Sequence, residues 1–129
     1  MLDKLEIKAG IDTPYVLLDP DTANCEISGK SYPPDVLKFY EPVFDWFDDF
    51  RYLNKEKLVL SFKLDYYNTA TSKILLEIFY RLEEISKEET EVSINWYYPD
   101  DDEDMLEIGE EYERLVNIPF NHISYVKRF

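Results

Sequence analysis

The sequence predicts a single α/β (α+β) domain over residues 1–129, with a mixed β-sheet of about five strands and three helices mostly on one face. Short segments whose apolar residues recur every second position alternate with longer segments whose apolar residues recur at helical spacing. Two predicted strands have one apolar and one polar face, which is typical of a sheet that helices cover on one side. No repeat, low-complexity segment or linker divides the chain.

Composition and charge exclude several classes of partner. The hydrophobic content of 45% in 129 residues is enough for a packed core. The formal net charge of −14 repels nucleic-acid phosphates and anionic membranes, so we expect neither as a partner. The chain has no apolar run of membrane-spanning length and no signal-peptide core at its start, so we expect a cytoplasmic protein.

The first part of the chain predicts an extended lead-in followed by a β-hairpin. The lead-in covers residues 1–13, and the sequence leaves its pairing open. Residues 15–18 and 25–29 form the arms of the hairpin, because the segment between them, 19–24, is rich in turn-forming residues. The only cysteine, Cys25, is expected to be a small buried side chain rather than a reactive thiol.

A first long helix is predicted over residues 35–50 after two consecutive prolines. Pro42 lies inside its apolar pattern and is expected either to kink the helix or to mark where its regular part begins. Trp46 stands among aspartates in this helix and is expected to face solvent or a partner. The alternative is that Trp46 lies at the rim of the core.

Residues 57–84 contain the clearest strand and helix, joined by a short polar connection. The apolar positions of the strand are Leu58, Leu60, Phe62 and Leu64, and those of the helix are Ile74, Leu75, Ile78, Phe79, Leu82 and Ile85. Either Asn68 or Thr69 can be the N-cap, because both side chains can accept a hydrogen bond from the first turn.

Three hydroxyl side chains, those of Thr69, Thr71 and Ser72, stand at this helix start. The free N–H groups and partial positive charge of a helix N-terminus suit a phosphate. Phosphorylation would add about −1.5 to −2 charges at pH 7 and could create or abolish a partner's binding surface. From spacing alone capping is the more common role of such residues, so the motif by itself favours the cap.

The last part of the chain predicts a strand at 91–97, a helix at about 103–116 and a final strand at 120–126. Five consecutive acidic residues, 100–104, precede that helix. A calcium loop starting at Asp100 would require glycine where Met105 stands, so we predict no metal site there. Negative charge at a helix N-terminus is the better explanation.

Enzymatic chemistry finds little support in the sequence. With only three glycines the chain has no glycine-rich phosphate loop. Its single histidine, His122, lies in the last predicted strand and is expected to be structural. No nucleophile–base arrangement can be specified, so we predict no catalytic residues and no cofactor. An enzyme that uses the abundant acidic residues remains an alternative, as does a constitutive interaction module that uses the polar sheet face or Trp46.

Several short motifs carry a resemblance to a known family. They are Ser31-Tyr32-Pro33, Asp45-Trp46, Tyr67-Asn68-Thr69, residues 78–83, residues 92–98 and Glu110-Glu111-Tyr112. The most specific is Asn95-Trp96-Tyr97-Tyr98 downstream of Asn68-Thr69. On these motifs the chain, from about Thr13 on, resembles the SiaC family of regulatory phosphoproteins, which are similar to STAS domains and to anti-sigma-factor antagonists.

The resemblance implies a STAS-like fold and a non-enzymatic, partner-switching role in bacterial signalling. It implies that a Ser/Thr protein kinase phosphorylates Thr69, with Thr71 and Ser72 as alternatives, and that a PP2C-type phosphatase removes the phosphate. The unmodified form would bind an effector such as a diguanylate cyclase and so act in cyclic-di-GMP signalling. The expected partner-binding residues are Asp65, Tyr67, Asn68, Thr69, Ala70, Lys73 and Trp46.

Overall fold

The computed structural model describes residues 2–127, which form a six-stranded sheet and three α-helices. The strands are β1 (Leu5–Ile7), β2 (Tyr15–Leu18), β3 (Asn24–Ser31), β4 (Lys57–Tyr67), β5 (Glu91–Pro99) and β6 (Phe120–Tyr125). The helices are α1 (Val36–Phe50), α2 (Thr69–Ser86) and α3 (Glu103–Leu115), and a short 3-10 helix, Arg51–Leu53, follows α1. The predicted α/β class and the three helices are confirmed.

The strands lie side by side in chain order, β1-β2-β3-β4-β5-β6. The pairs β1–β2 and β2–β3 are antiparallel, whereas β3, β4, β5 and β6 are parallel to one another. Each parallel connection crosses over through one helix, as parallel pairing requires. The carboxyl ends of the parallel strands and the N-termini of the three helices therefore gather at one edge of the sheet.

The sixth strand, β1, comes from the lead-in, so the expectation of about five strands was one short. Leu5 pairs with Leu18 and Ile7 with Val16 in the antiparallel ladder. Three residues with two apolar positions are too few to establish a period of two, so the sequence could not distinguish β1 from an extended segment.

The three helices cover one face of the sheet, as predicted. Along β4 the even-numbered apolar side chains from Leu58 to Leu64 are buried, whereas Lys63 between them is exposed. Phe62 of β4 packs against Phe79 of α2 with ring centroids 5.2 Å apart. The opposite face carries polar side chains, among them Asn95, whose amide donates a hydrogen bond to the Ser61 hydroxyl.

Helix α1 excludes one of the two alternatives for Pro42 and corrects the expectation for Trp46. It runs without interruption from the N-cap Asp35 through Pro42, so Pro42 does not mark where the regular helix begins. Trp46 is only 4% exposed, and its indole N–H donates a hydrogen bond to the carbonyl oxygen of Asp3 at 2.9 Å. The lead-in thus covers Trp46, which has the core-rim position given as the alternative and does not face solvent.

A buried cluster of three hydroxyls, the hydroxyl cluster, joins the sheet to α1 and α2. The Ser31 Oγ lies 2.7 Å from the Tyr40 hydroxyl and 3.0 Å from Thr71 Oγ1. Thr71 Oγ1 also donates to the Ser31 carbonyl oxygen at 3.0 Å. All three side chains have no exposed surface, and their mutual hydrogen bonds offset the cost of burying them.

Helix α3 approaches β5 closely because residue 109 is glycine. A Cβ atom at Gly109 would lie 2.6 Å from the Trp96 Nε1 and in overlap with Cδ1 of the same ring. The indole is 1% exposed, and its N–H donates to the Met105 carbonyl at 2.9 Å. Both contacts come from α3, so this helix lies directly against the indole.

Replacing Thr71→Val should lower the free energy of unfolding by about 1–3 kcal/mol, because the shape is kept while a buried hydrogen-bonding group is removed. Urea denaturation measures this. The control is Ser72→Ala, whose partly exposed hydroxyl should matter by no more than about 0.5 kcal/mol. Equal stability of Thr71→Val and the wild type would show that the hydroxyl cluster does not hold α2.

Replacing Gly109→Ala should destabilise the fold although alanine favours helices. Overpacking costs about 1–3 kcal/mol, whereas the gain in helix propensity is at most about 1 kcal/mol. Glu107→Ala, at an exposed position of the same helix, is the control and should be nearly neutral. Thermal and urea denaturation would contradict this account of α3 packing if Gly109→Ala were the more stable of the two variants.

Candidate functional site

The candidate site is the start of α2, which follows β4 after one connecting residue. That residue, Asn68, is extended and acts as the N-cap, because its side-chain oxygen accepts the Thr71 N–H at 3.0 Å. Its own N–H donates to the Ser31 carbonyl at 3.3 Å. Of the two predicted caps, Asn68 is therefore the observed one, and Thr69 is the first helical residue.

The three candidate hydroxyls differ sharply in accessibility. The side chain of Thr69 is exposed, whereas Thr71 has no exposed surface and belongs to the hydroxyl cluster. Ser72 is half-buried, and its hydroxyl donates to the Thr69 carbonyl at 2.6 Å. Of the three hydroxyls, that of Thr69 is therefore on the most exposed side chain. The hydroxyls of Thr71 and Ser72 both donate a hydrogen bond to a backbone carbonyl.

The local electrostatics at Thr69 favour an anion. The first turn of α2 contains no acidic residue, and a helix N-terminus carries partial positive charge. Lys73 is exposed and stands four residues after Thr69, on the same side of the helix. This start differs from that of α3, whose first turn holds Glu103 and Asp104.

A groove of about 360 Å³, the α2–α3 groove, opens beside Thr69. Its α2 wall contains Asn68, Thr69 and Ser72, and its α3 wall contains Ile108, Glu111 and Leu115. Tyr67 and Tyr112 complete the lining.

Tyr112 links the two walls of the groove, because its hydroxyl donates to the Ser72 carbonyl at 3.0 Å. Burial raises the pKa of Tyr112 to about 12 and also raises that of Tyr67, so both phenols are neutral at physiological pH. The Tyr67 oxygen is buried and has no hydrogen-bond partner within residues 2–127. The acidic residue of the groove lining is Glu111.

The structure brings most of the expected partner-binding residues together. Tyr67, Asn68 and Thr69 line the α2–α3 groove, and Ala70 and Lys73 are exposed on the same helix start. Asp65 is exposed near the end of β4, close to Tyr125, whose pKa is raised first by burial and then by the Asp65 charge. Trp46 is the exception, because it is buried in the second half of α1.

Sequence reasoning missed the α3 wall of the groove. In the sequence, Ile108, Tyr112 and Leu115 recur at helical spacing, which indicates a face that packs on the core. Leu115 is instead 55% exposed. Ile108 and Leu115 each lie one position before a buried residue, Gly109 and Val116, so they stand at the edge of the buried face of the helix.

The other residues singled out in the sequence have structural positions. Cys25 is 4% exposed, and burial raises the pKa of its thiol to about 12, so the reactive thiolate is not populated. His122 Nε2 lies 2.9 Å from Glu113 Oε1. In the acidic stretch, Asp102 caps α3 by accepting the Met105 N–H at 3.0 Å.

Among residues 2–127, no helix is long and apolar enough to cross a membrane.

The chain has a relative among the proteins of the bacterium Pseudomonas aeruginosa. It is 29% identical over 119 residues to an uncharacterised protein of Pseudomonas aeruginosa strain UCBPP-PA14, covering 92% of this chain and 94% of the relative.

Solved structures agree with this relationship. Apo-SiaC from P. aeruginosa superposes with a TM-score of 0.84 at 28% identity, covering 93% of this chain and 98% of that one. A crystal structure of the diguanylate cyclase SiaD in complex with its activator SiaC, from the same organism, matches with a TM-score of 0.88 at 28% identity, covering 94% and 99%. The model of the SiaC family matches residues 7–125. The chain belongs to the SiaC family of regulatory phosphoproteins.

Proposed function

We propose that this protein activates a diguanylate cyclase by binding it, and that reversible phosphorylation of Thr69 controls the binding. The relative SiaC forms a complex with the cyclase SiaD as its activator. The observation that carries the proposal is the position of Thr69, an exposed first residue of α2 at the rim of the α2–α3 groove. Its neighbours Thr71 and Ser72 are both engaged in hydrogen bonds.

A cytoplasmic Ser/Thr protein kinase would add the phosphate, and a PP2C-type phosphatase would remove it. The helix N-terminus and Lys73 would stabilise the phosphate once it is formed, because both are positive. The modified protein is therefore a stable second state rather than a partly unfolded one.

The phosphate is expected to weaken cyclase binding. It adds about −1.5 to −2 charges beside a groove with apolar side chains on its α3 wall. A partner that fills the groove would have to remove water from that charge, and the helix N-terminus and Lys73 offset this cost only in part. The unmodified protein is then the binding form, and the phosphatase is the activating enzyme.

Phosphosite mapping by intact-mass and peptide mass spectrometry, on protein isolated from its own cells, tests the proposed site. We expect one phosphate, on Thr69, that a PP2C-type phosphatase removes. Phosphate on Thr71 would require the hydroxyl cluster to open and would contradict the assignment. No phosphate under several growth conditions would favour the constitutive interaction module.

Calorimetric titration against the diguanylate cyclase that co-purifies with the protein tests the direction of control. Thr69→Glu should weaken binding about tenfold or more, whereas Thr69→Ala should stay within about threefold of the wild type. Ser86→Glu, which adds the same charge at the other end of α2, is the matched control and should bind like the wild type. Equal affinities for all variants, or the absence of any cyclase in the purified material, would contradict the proposal.

A further inference from the structure

We infer that the α2–α3 groove receives an apolar side chain of the cyclase that has a lysine or arginine beside it. The inference rests on the proposed function and extends it by naming the docking site and the chemistry of the segment that docks. It follows from the shape of the groove, from its charge and from its position relative to Thr69.

The α3 wall of the groove is apolar at its two ends. Ile108 is half-buried and Leu115 is 55% exposed, and with Tyr112 they follow one face of α3 at spacings of four and three residues. A volume of about 360 Å³ lies near the lower end of the range for ligand pockets, which suits a protein side chain. Filling the groove would remove the exposed leucine from water.

The acidic surface around the groove favours a basic segment of the partner. Helix α3 carries the acidic residues Glu103, Asp104, Glu107, Glu110, Glu111 and Glu113, against the single basic residue Arg114. Glu111 lines the groove between Ile108 and Leu115, so a cation next to the inserted apolar side chain would meet a carboxylate. The chain as a whole has a net charge of −14, which favours encounter with a basic segment.

The groove also accounts for the direction of control at Thr69. Thr69 stands on the α2 wall, opposite the apolar positions of the α3 wall. A phosphate on Thr69 would therefore face the inserted apolar side chain, whereas the basic residue of the partner pairs with Glu111 on the other wall. On binding, the phosphate would lose its water, and the partner's basic residue would not replace that water because it pairs with Glu111.

Photo-crosslinking in the cells of its own organism tests the docking site directly. One variant carries p-benzoylphenylalanine in place of Leu115. The other carries it in place of Tyr52, which is 76% exposed in the 3-10 helix after α1 and outside the groove. We expect the cyclase to be captured from position 115 and not from position 52. The crosslinked peptide should contain an apolar residue next to a lysine or arginine.

Three outcomes would overturn the inference. They are capture of the cyclase from position 52 alone, capture at position 115 through an acidic peptide, and no capture from either position by a protein that binds the cyclase in titration. In each of these the proposed function still stands. Absence of cyclase binding by the wild type would instead overturn the proposed function, so the two failures can be told apart.

A pair of neutralised glutamates tests the charge argument. Glu111→Gln and Glu110→Gln change the net charge equally, but only Glu111 lines the groove. We expect Glu111→Gln to weaken cyclase binding about threefold to tenfold and Glu110→Gln by less than about twofold. Equal effects would show that the overall field, rather than a pairing in the groove, attracts the partner.

Discussion

The carbonyl oxygen of Ser31 is the point at which the sheet holds helix α2. It accepts the Asn68 N–H at 3.3 Å and the Thr71 hydroxyl at 3.0 Å. Tyr40 brings α1 to the same point through the Ser31 hydroxyl. Because the side chains of Ser31, Tyr40 and Thr71 are buried, breaking one of the bonds between them leaves a polar atom without water, at a cost of about 1–3 kcal/mol. The first turn of α2 therefore has a single well-defined position.

That constraint decides what each hydroxyl at the helix start can do. Residues two apart in a helix differ by about 200° around its axis, so a turn that directs Thr71 into the core directs Thr69 away from it. Ser72 is three positions from Thr69 and returns to nearly the same side, where it lines the groove with Thr69. The burial of Thr71 and the exposure of Thr69 thus both follow from the geometry of one helical turn.

The position of α3 follows from the same edge of the sheet. Parallel strands with helical crossovers set the N-termini of neighbouring helices side by side, and Gly109 lets α3 lie directly on Trp96. Tyr112 then reaches across to the Ser72 carbonyl. The α3 wall of the groove is apolar because Ile108 and Leu115 stand at the edge of the buried face of the helix, where the core does not cover them fully. An acidic helix with an exposed leucine thereby comes to stand beside the proposed phosphosite.

The sequence by itself determined β4, α2, the capped connection between them and the three hydroxyls, because these depend on local periodicity and on capping chemistry. It also contained a signal for the burial of Thr71, which continues the stripe of Ile74, Leu75 and Ile78 backward by one turn. Contacts between residues far apart in the chain decided the rest. Three features have no local sequence pattern, because each depends on where another segment packs. They are the pairing of β1, the hydrogen bond between Asp3 and Trp46, and the position of Thr69 and Leu115 in one groove.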